Sequence, residues 1–185
     1  MWRSRLSWED RRAGGAAGTM AAWRVAPGTP ENLPTMDMNW VTPRIAVGGG
    51  IWHEQNMIEV VRAGVTHIID MQIEFDDTSL AEPYGIATLW NPVDDDFQPK
   101  SRAVLHRGVD FAIQALKDPG ARILIHCAAG IHRAPMMTLA VLCAQGWKIE
   151  EAMSSISRSR SIVDWAGVYV TSVRDFISSY APVER

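Results

Sequence analysis

The stretch Ile123-Leu124-Ile125-His126-Cys127-Ala128-Ala129-Gly130-Ile131-His132-Arg133-Ala134-Pro135 decides how this chain is read. Residues 122–126 are expected to form a buried strand that ends at a cysteine. The small residues Ala128, Ala129 and Gly130 then allow a tight loop, with Gly130 free to take a positive φ. An apolar helix is expected from about residue 133 to 144. Pro135 falls in its first turn, where a missing N–H does no harm, and Gly146 ends it. The N–H groups of such a loop, together with a helix N-terminus, make an anion site.

That setting suits nucleophilic chemistry. A thiol beside a helix N-terminus and an arginine ionises more readily than a free one, so Cys127 is expected to react as a thiolate. Arg133 carries a planar fork that matches two oxygens of a phosphate. The loop residues Ala128, Ala129, Gly130, Ile131 and His132, with Arg133, are the candidate phosphate binders.

Outward from this loop, strand and helix patterns alternate. Residues 40–47 read as two short strands parted by Pro43. Met57, Val60 and Val61 mark a helix closed by Gly64. Residues 66–71 and 86–90 read as buried strands. Leu105, Val109, Ala112, Ile113 and Leu116 mark an amphipathic helix stopped by Asp118-Pro119-Gly120. Ile149, Ala152, Met153 and Ile156 mark another, and Tyr169, Val173, Phe176, Ile177 and Tyr180 the last. The expected class is α/β, with a central, mostly parallel sheet flanked by helices. Such sheets bind ligands beyond the carboxyl ends of their strands. Asn91-Pro92-Val93-Asp94-Asp95-Asp96-Phe97 follows the strand at 86–90, so its acids lie at that edge, where a leaving oxygen would need a proton donor.

His126-Cys127, five residues and then Arg133 resemble the signature of the protein tyrosine phosphatase superfamily. Residues 40–180 resemble its dual-specificity branch, through Val41-Thr42-Pro43-Arg44-Ile45-Ala46-Val47-Gly48-Gly49, Gly64-Val65-Thr66-His67-Ile68-Ile69, the acid loop, and Glu150-Glu151-Ala152-Met153 leading to Arg158 and Arg160. The resemblance implies the phosphatase fold, with its cysteine loop between strand and helix, and hydrolysis of phosphomonoesters through a phosphocysteine. It implies Cys127 as nucleophile, Arg133 as phosphate binder, and His126 as a residue that orients the cysteine loop. It implies Asp95, 32 residues before Cys127, as general acid, with Asp94 and Asp96 as the alternatives. The family usually has Ser or Thr after the arginine, and this chain has Ala134, so slower breakdown of the phosphocysteine is expected. Plant glucan phosphatases of the branch share Arg-Ala-Pro, but no carbohydrate-binding module is visible here. Phosphoinositide-directed members carry lysines in the loop, which this chain lacks.

The 185 residues, 47% hydrophobic and 21% charged, suit one globular domain with a tail. A net charge of −3 argues against nucleic acid, and no apolar run is long enough for a membrane span. Residues 1–36 are Arg-, Gly- and Pro-rich and are expected to be a disordered tail, with an organelle transit peptide as the alternative reading. Residues 37–185 are expected to hold the catalytic domain. With two cysteines, reduced thiols in a cytoplasmic protein are expected, Cys143 serving as core. No His, Cys or carboxylate cluster has metal-ligand spacing, so neither metal nor cofactor is expected. The eight tryptophans suggest core and tail, with Trp52 and Trp165 as possible cleft residues. The expected partner is a phosphorylated protein or a small phosphoester, and nothing indicates the oligomeric state. The competing readings are a phosphate-binding pseudophosphatase, suggested by Ala134, a phosphatase of glucan or lipid phosphates, and a sulfurtransferase or arsenate reductase built on a similar loop.

Overall fold

A computed structural model describes residues 35–180. The tail expected over residues 1–36 therefore lies outside the described residues, except at its end. There Met36 is buried and its N–H donates to the Glu59 carboxylate.

Five strands form one sheet: β1 (Met38–Thr42), β2 (Ile45–Gly48), β3 (His67–Asp70), β4 (Ala87–Trp90) and β5 (Ile123–His126). Their order is β1-β2-β5-β3-β4. Only β1 runs antiparallel, turning into β2 at Pro43, and the other three pairings are parallel. The helices are α1 (Glu54–Arg62), α2 (Thr78–Ala81), α3 (Arg102–Ala115), α4 (Arg133–Ala144), α5 (Ile149–Ser159) and α6 (Gly167–Ile177).

The two-residue period of the strands divides the interior into two cores. Ile45, Val47, Ile69, Ile123 and Ile125 face one way, against residues from α3, α4, α5 and α6. Ala46, Ile68 and Leu124 face the other way, against Met57 and Val60 of α1. Helix α4 is covered on every side, with all residues from Arg133 to Cys143 buried. This explains why its sequence is apolar all round instead of striped. Cys143 belongs to this core, and burial pushes its thiol up to about 11.

Two expectations are corrected. The strand at 86–90 is not buried, because β4 is the sheet edge and exposes Ala87 and Trp90. None of the five described tryptophans is fully buried either. Their N–H groups need partners: Trp90 donates to Gln72 O and Trp165 to Ser157 Oγ. The buried interior is filled by aliphatic, Met and Ala side chains, with Tyr169 and Phe176 as the large aromatics. No described helix is long and apolar enough to cross a membrane.

Candidate active site

Strand β5 lies in the middle of the sheet, so the loop after it opens at the centre of the carboxyl edge. Every carbonyl from Ala128 to Ile131 is held from outside the loop. Gly50 N–H donates to Ala128 O at 3.0 Å, and Asp164 N–H to Ile131 O at 3.2 Å. Arg160 donates through Nη2 to Ala129 O at 3.0 Å and through Nε to Gly130 O at 2.8 Å. Its own fork is fixed by Asp37 Oδ1 at 2.7 Å and Asn39 Oδ1 at 2.9 Å. With the carbonyls turned out, the N–H groups turn in. Gly130 N–H donates to Cys127 Sγ at 3.2 Å. Among the described residues, the N–H groups of Ala128, Ala129, Ile131, His132 and Arg133 find no backbone acceptor. A ring of free donors around a sulfur can hold a tetrahedral oxyanion.

Gly130 has φ +65°, and a Cβ placed there would lie 2.6 Å from both Gly48 O and Arg160 Nη2. Glycine is thus required twice over, by conformation and by space.

Arg133 is 3% exposed. Nη1 donates to Glu74 Oε2 at 2.9 Å and Val93 O at 3.2 Å, and Nη2 to Glu74 Oε1 at 2.8 Å. The guanidinium has five N–H groups. One on Nη2 and the one on Nε are left, along a single edge, and buried Nε has no partner. That edge has the spacing of a bidentate phosphate contact. Burial opposes the Arg133 charge, but the Glu74 hydrogen bonds and the charges of Cys127, Glu74 and Asp95 outweigh it and raise its pKa. Hydrogen bonding to Arg133 in turn holds Glu74 below the usual carboxylate range.

Of the three acids after β4, Asp94 and Asp96 are exposed and Asp96 pairs with Lys100. Asp95 turns inward, its Oδ2 lying 3.8 Å from Arg133 Nε and 3.0 Å from His132 Nδ1. Tyr169 on α6 donates its hydroxyl to Asp95 Oδ1 at 3.0 Å and accepts Phe97 N–H at 2.9 Å. Burial, helped by the Asp95 hydrogen bond and charge, pushes the Tyr169 hydroxyl up to about 12, so it remains a donor at neutral pH. The base of the acid loop is pinned by Asn91, which donates to Val104 O on α3 and accepts from Arg107 Nε.

His126 is wholly buried behind the cysteine. Its Nε2 lies 2.9 Å from Asp77 Oδ2 and 3.8 Å from Asp70 Oδ1. The fold thus assembles the trio that sequence spacing does not show, with ligand atoms all within 4.8 Å of one another. Such a trio could coordinate a cation. It could equally be neutralised by protons, because burial pushes Asp70 up to about 7, against the pull of His126. Asp77 stands at the N-cap of α2, yet its carboxylate does not cap the helix.

Sequence reasoning missed Glu74, Arg160 and Tyr169. Glu74 lies 59 residues from Arg133, and no spacing links the two. Arg160 was noted only as part of the resemblance, and Tyr169 only as a core position of its helix. Trp52 stands exposed near Phe75, while Trp165 packs against the larger core.

Residues 53–176 match the family described as dual specificity phosphatase, catalytic domain. Protein tyrosine phosphatase type IVA 3 of Mus musculus is 27% identical over 128 residues, 69% of this chain and 70% of that protein. Dual specificity protein phosphatase 5 of Rattus norvegicus is 31% identical over 75 residues, 40% of this chain but only 19% of that one. Among solved structures, a mouse putative dual specificity phosphatase superposes with a TM-score of 0.69 at 20% identity, covering 83% of this chain and 94% of that one. PTPMT1, crystallised in complex with PI(5)P, gives 0.68 at 22% identity, covering 76% and 94%.

Proposed function

The chain belongs to the dual specificity phosphatase catalytic-domain family, and from this premise we propose that it hydrolyses phosphomonoesters through a phosphocysteine on Cys127. The carrying observation is the loop itself, whose carbonyls are held from outside while Gly130 N–H donates to Sγ and the N–H groups of Ala128, Ala129, Ile131, His132 and Arg133 are left without a backbone acceptor.

The substrate's phosphoryl group sits in the ring of N–H donors, and the free edge of Arg133 binds two of its oxygens. Cys127 attacks phosphorus in line as the P–O bond to the leaving group breaks. Asp95 supplies the proton that the departing oxygen takes up. The resulting Asp95 carboxylate then takes a proton from water as that water attacks phosphorus. The S–P bond breaks, and inorganic phosphate and the thiolate are released. The loop donors and Arg133 stabilise charge on the equatorial oxygens in both steps. Ala134 offers no hydroxyl to assist the second step, so the phosphocysteine breaks down more slowly than in members that have one.

Turnover of an aryl phosphate tests this reading. Cys127→Ser abolishes it, and Asp95→Asn lowers kcat about 10²-fold, the lower end for a general acid. Full activity of Cys127→Ser would overturn it.

A second reading, of an amphiphilic phosphomonoester as substrate, is supported by one observation. Of the six large apolar side chains exposed among the described residues, Trp52, Ile73, Trp90, Phe97 and Ile162 belong to segments at or beside the carboxyl edge of the sheet. PTPMT1, the neighbour crystallised with PI(5)P, offers a parallel for a lipid phosphate. A higher kcat/KM for a monoacyl glycerol phosphate than for phosphotyrosine supports this reading, and the reverse order removes it.

A further inference from the structure

His132 occupies a loop position that contributes a backbone N–H to the anion ring, but its side chain is committed elsewhere. Nδ1 is 3.0 Å from Asp95 Oδ2 and Nε2 is 3.4 Å from Asp164 Oδ2. The ring meets Phe97 edge-on at 5.1 Å between centroids and Tyr169 edge-on at 6.5 Å. Phe97 in turn stacks on Tyr169, with 6.0 Å between centroids and 11° between planes. The imidazole is thus wedged between the acid loop, helix α6 and the segment before α6, with a side-chain exposure of 17%.

Both oxygens of Asp95 are taken, Oδ1 by the Tyr169 hydroxyl and Oδ2 by His132. The two contacts are not equivalent. Tyr169 is a donor and needs an unprotonated Oδ1. Asp164 faces Nε2, and a carboxylate there favours the tautomer with its hydrogen on Nε2. Nδ1 is then an acceptor, and the atom it faces, Asp95 Oδ2, is the one nearer Arg133.

We propose that His132 is a positioning residue for the general acid: with Tyr169 it keeps the Asp95 proton on Oδ2, the oxygen turned towards the leaving group. The inference rests on the reading of Asp95 as general acid. Attack on phosphorus then breaks the P–O bond while the Oδ2 proton passes to the departing oxygen, and the proton that Oδ2 takes from the attacking water in the second step restores its contact with Nδ1. Asp164 holds the tautomer, and Phe97 and Tyr169 hold the ring plane.

The test is leaving-group dependence. A donor that matters only when the leaving oxygen is basic affects phenyl and alkyl phosphates and spares 2,4-dinitrophenyl phosphate. Asp95→Asn is expected to lower kcat/KM, which reports the step that expels the leaving group, about 10²-fold on phenyl phosphate. His132→Ala is expected to lower it about tenfold, and both should change the dinitrophenyl ester less than about threefold. Combined in one chain, the two substitutions cost no more than Asp95→Asn alone, because they act through one proton. His132→Asn, whose amide reaches the position of Nδ1, keeps the shallow dependence on leaving group. His132→Gln, whose amide reaches only that of Nε2, does not. The Asn–Gln contrast serves even where His132→Ala fails to fold. Equal losses on both esters for His132→Ala, or identical behaviour of the Asn and Gln variants, would overturn this inference alone. If Asp95→Asn itself shows no leaving-group dependence, the acid assignment falls and this inference with it.

Discussion

Arg133 and Glu74 show how one residue sets the use of another. Glu74 takes two N–H groups on the far side of the guanidinium, which fixes its plane and presents the Nε–Nη2 edge to the loop. Glu74→Ala is expected to loosen that plane, raising KM and the inhibition constant of inorganic phosphate about tenfold, which corresponds to one charge-assisted hydrogen bond. Unchanged phosphate inhibition would show that the loop alone orients Arg133. At Gly130 the penalty is steric and conformational together. Gly130→Ala adds the left-handed cost of about 1–2 kcal/mol to a clash with Gly48 O and Arg160. A melting temperature lowered by several degrees, with activity lost, is the expected result. The Cys127–Arg133 spacing was legible because both residues lie on one short loop. Glu74 was not, because it lies in the loop after β3 and meets Arg133, at the start of α4, only in the fold.

Helix α4 and strand β5 were legible as elements because burial on all sides leaves a continuous apolar run in each. Helix α2 and the single 3-10 turn after it were not, since one turn carries no periodicity. Strand β4 reads like β3 in sequence, both being short segments with β-branched and apolar residues, and only the strand order makes β4 an edge. The shape of the cysteine loop depends on Arg160, just past the end of α5, which the sequence shows only through the family resemblance and not as a clamp. Arg160→Ala leaves the carbonyls of Ala129 and Gly130 without their donor, at about 1–3 kcal/mol each where they are shielded from water. It should reduce activity and thermal stability together. Arg160→Lys should restore little, because one ammonium cannot reproduce a planar fork bound to two carbonyls, Asp37 and Asn39. Full activity of Arg160→Lys would show that charge alone suffices.

For the molecule as a whole, the α/β class and the mostly parallel sheet followed from the alternation of strand and helix patterns. The buried cluster behind the cysteine did not, because Asp70, Asp77 and His126 come from three separate segments. That cluster carries a stability signature. Burial raises Asp70 to about 7 in the folded chain, above the ordinary aspartate value of 3.8. The folded state therefore binds the proton more tightly than the unfolded one. Stability attributable to Asp70 falls as pH rises from about 4 to about 7 and stays low above that. Asp70→Asn keeps an acceptor for Gln72 N–H and cannot ionise. It should be more stable than the parent chain at pH 8, by on the order of a few kcal/mol, with the gap closing towards pH 4. Denaturant titration across that range measures it, and a gap that widens on acidification would reverse the assignment.

The proposed chemistry converges on one covalent bond, between Cys127 Sγ and phosphorus. Because Ala134 offers the second step no hydroxyl, that bond should persist long enough to trap. The direct measurement is mass spectrometry of enzyme quenched in acid during turnover of an aryl phosphate. A phosphoryl group on the peptide that contains Cys127, absent from Cys127→Ser and enriched in a variant whose second step is slowed further, is the predicted result. Sustained turnover with that peptide unmodified, or turnover undiminished in Cys127→Ser, would contradict the account.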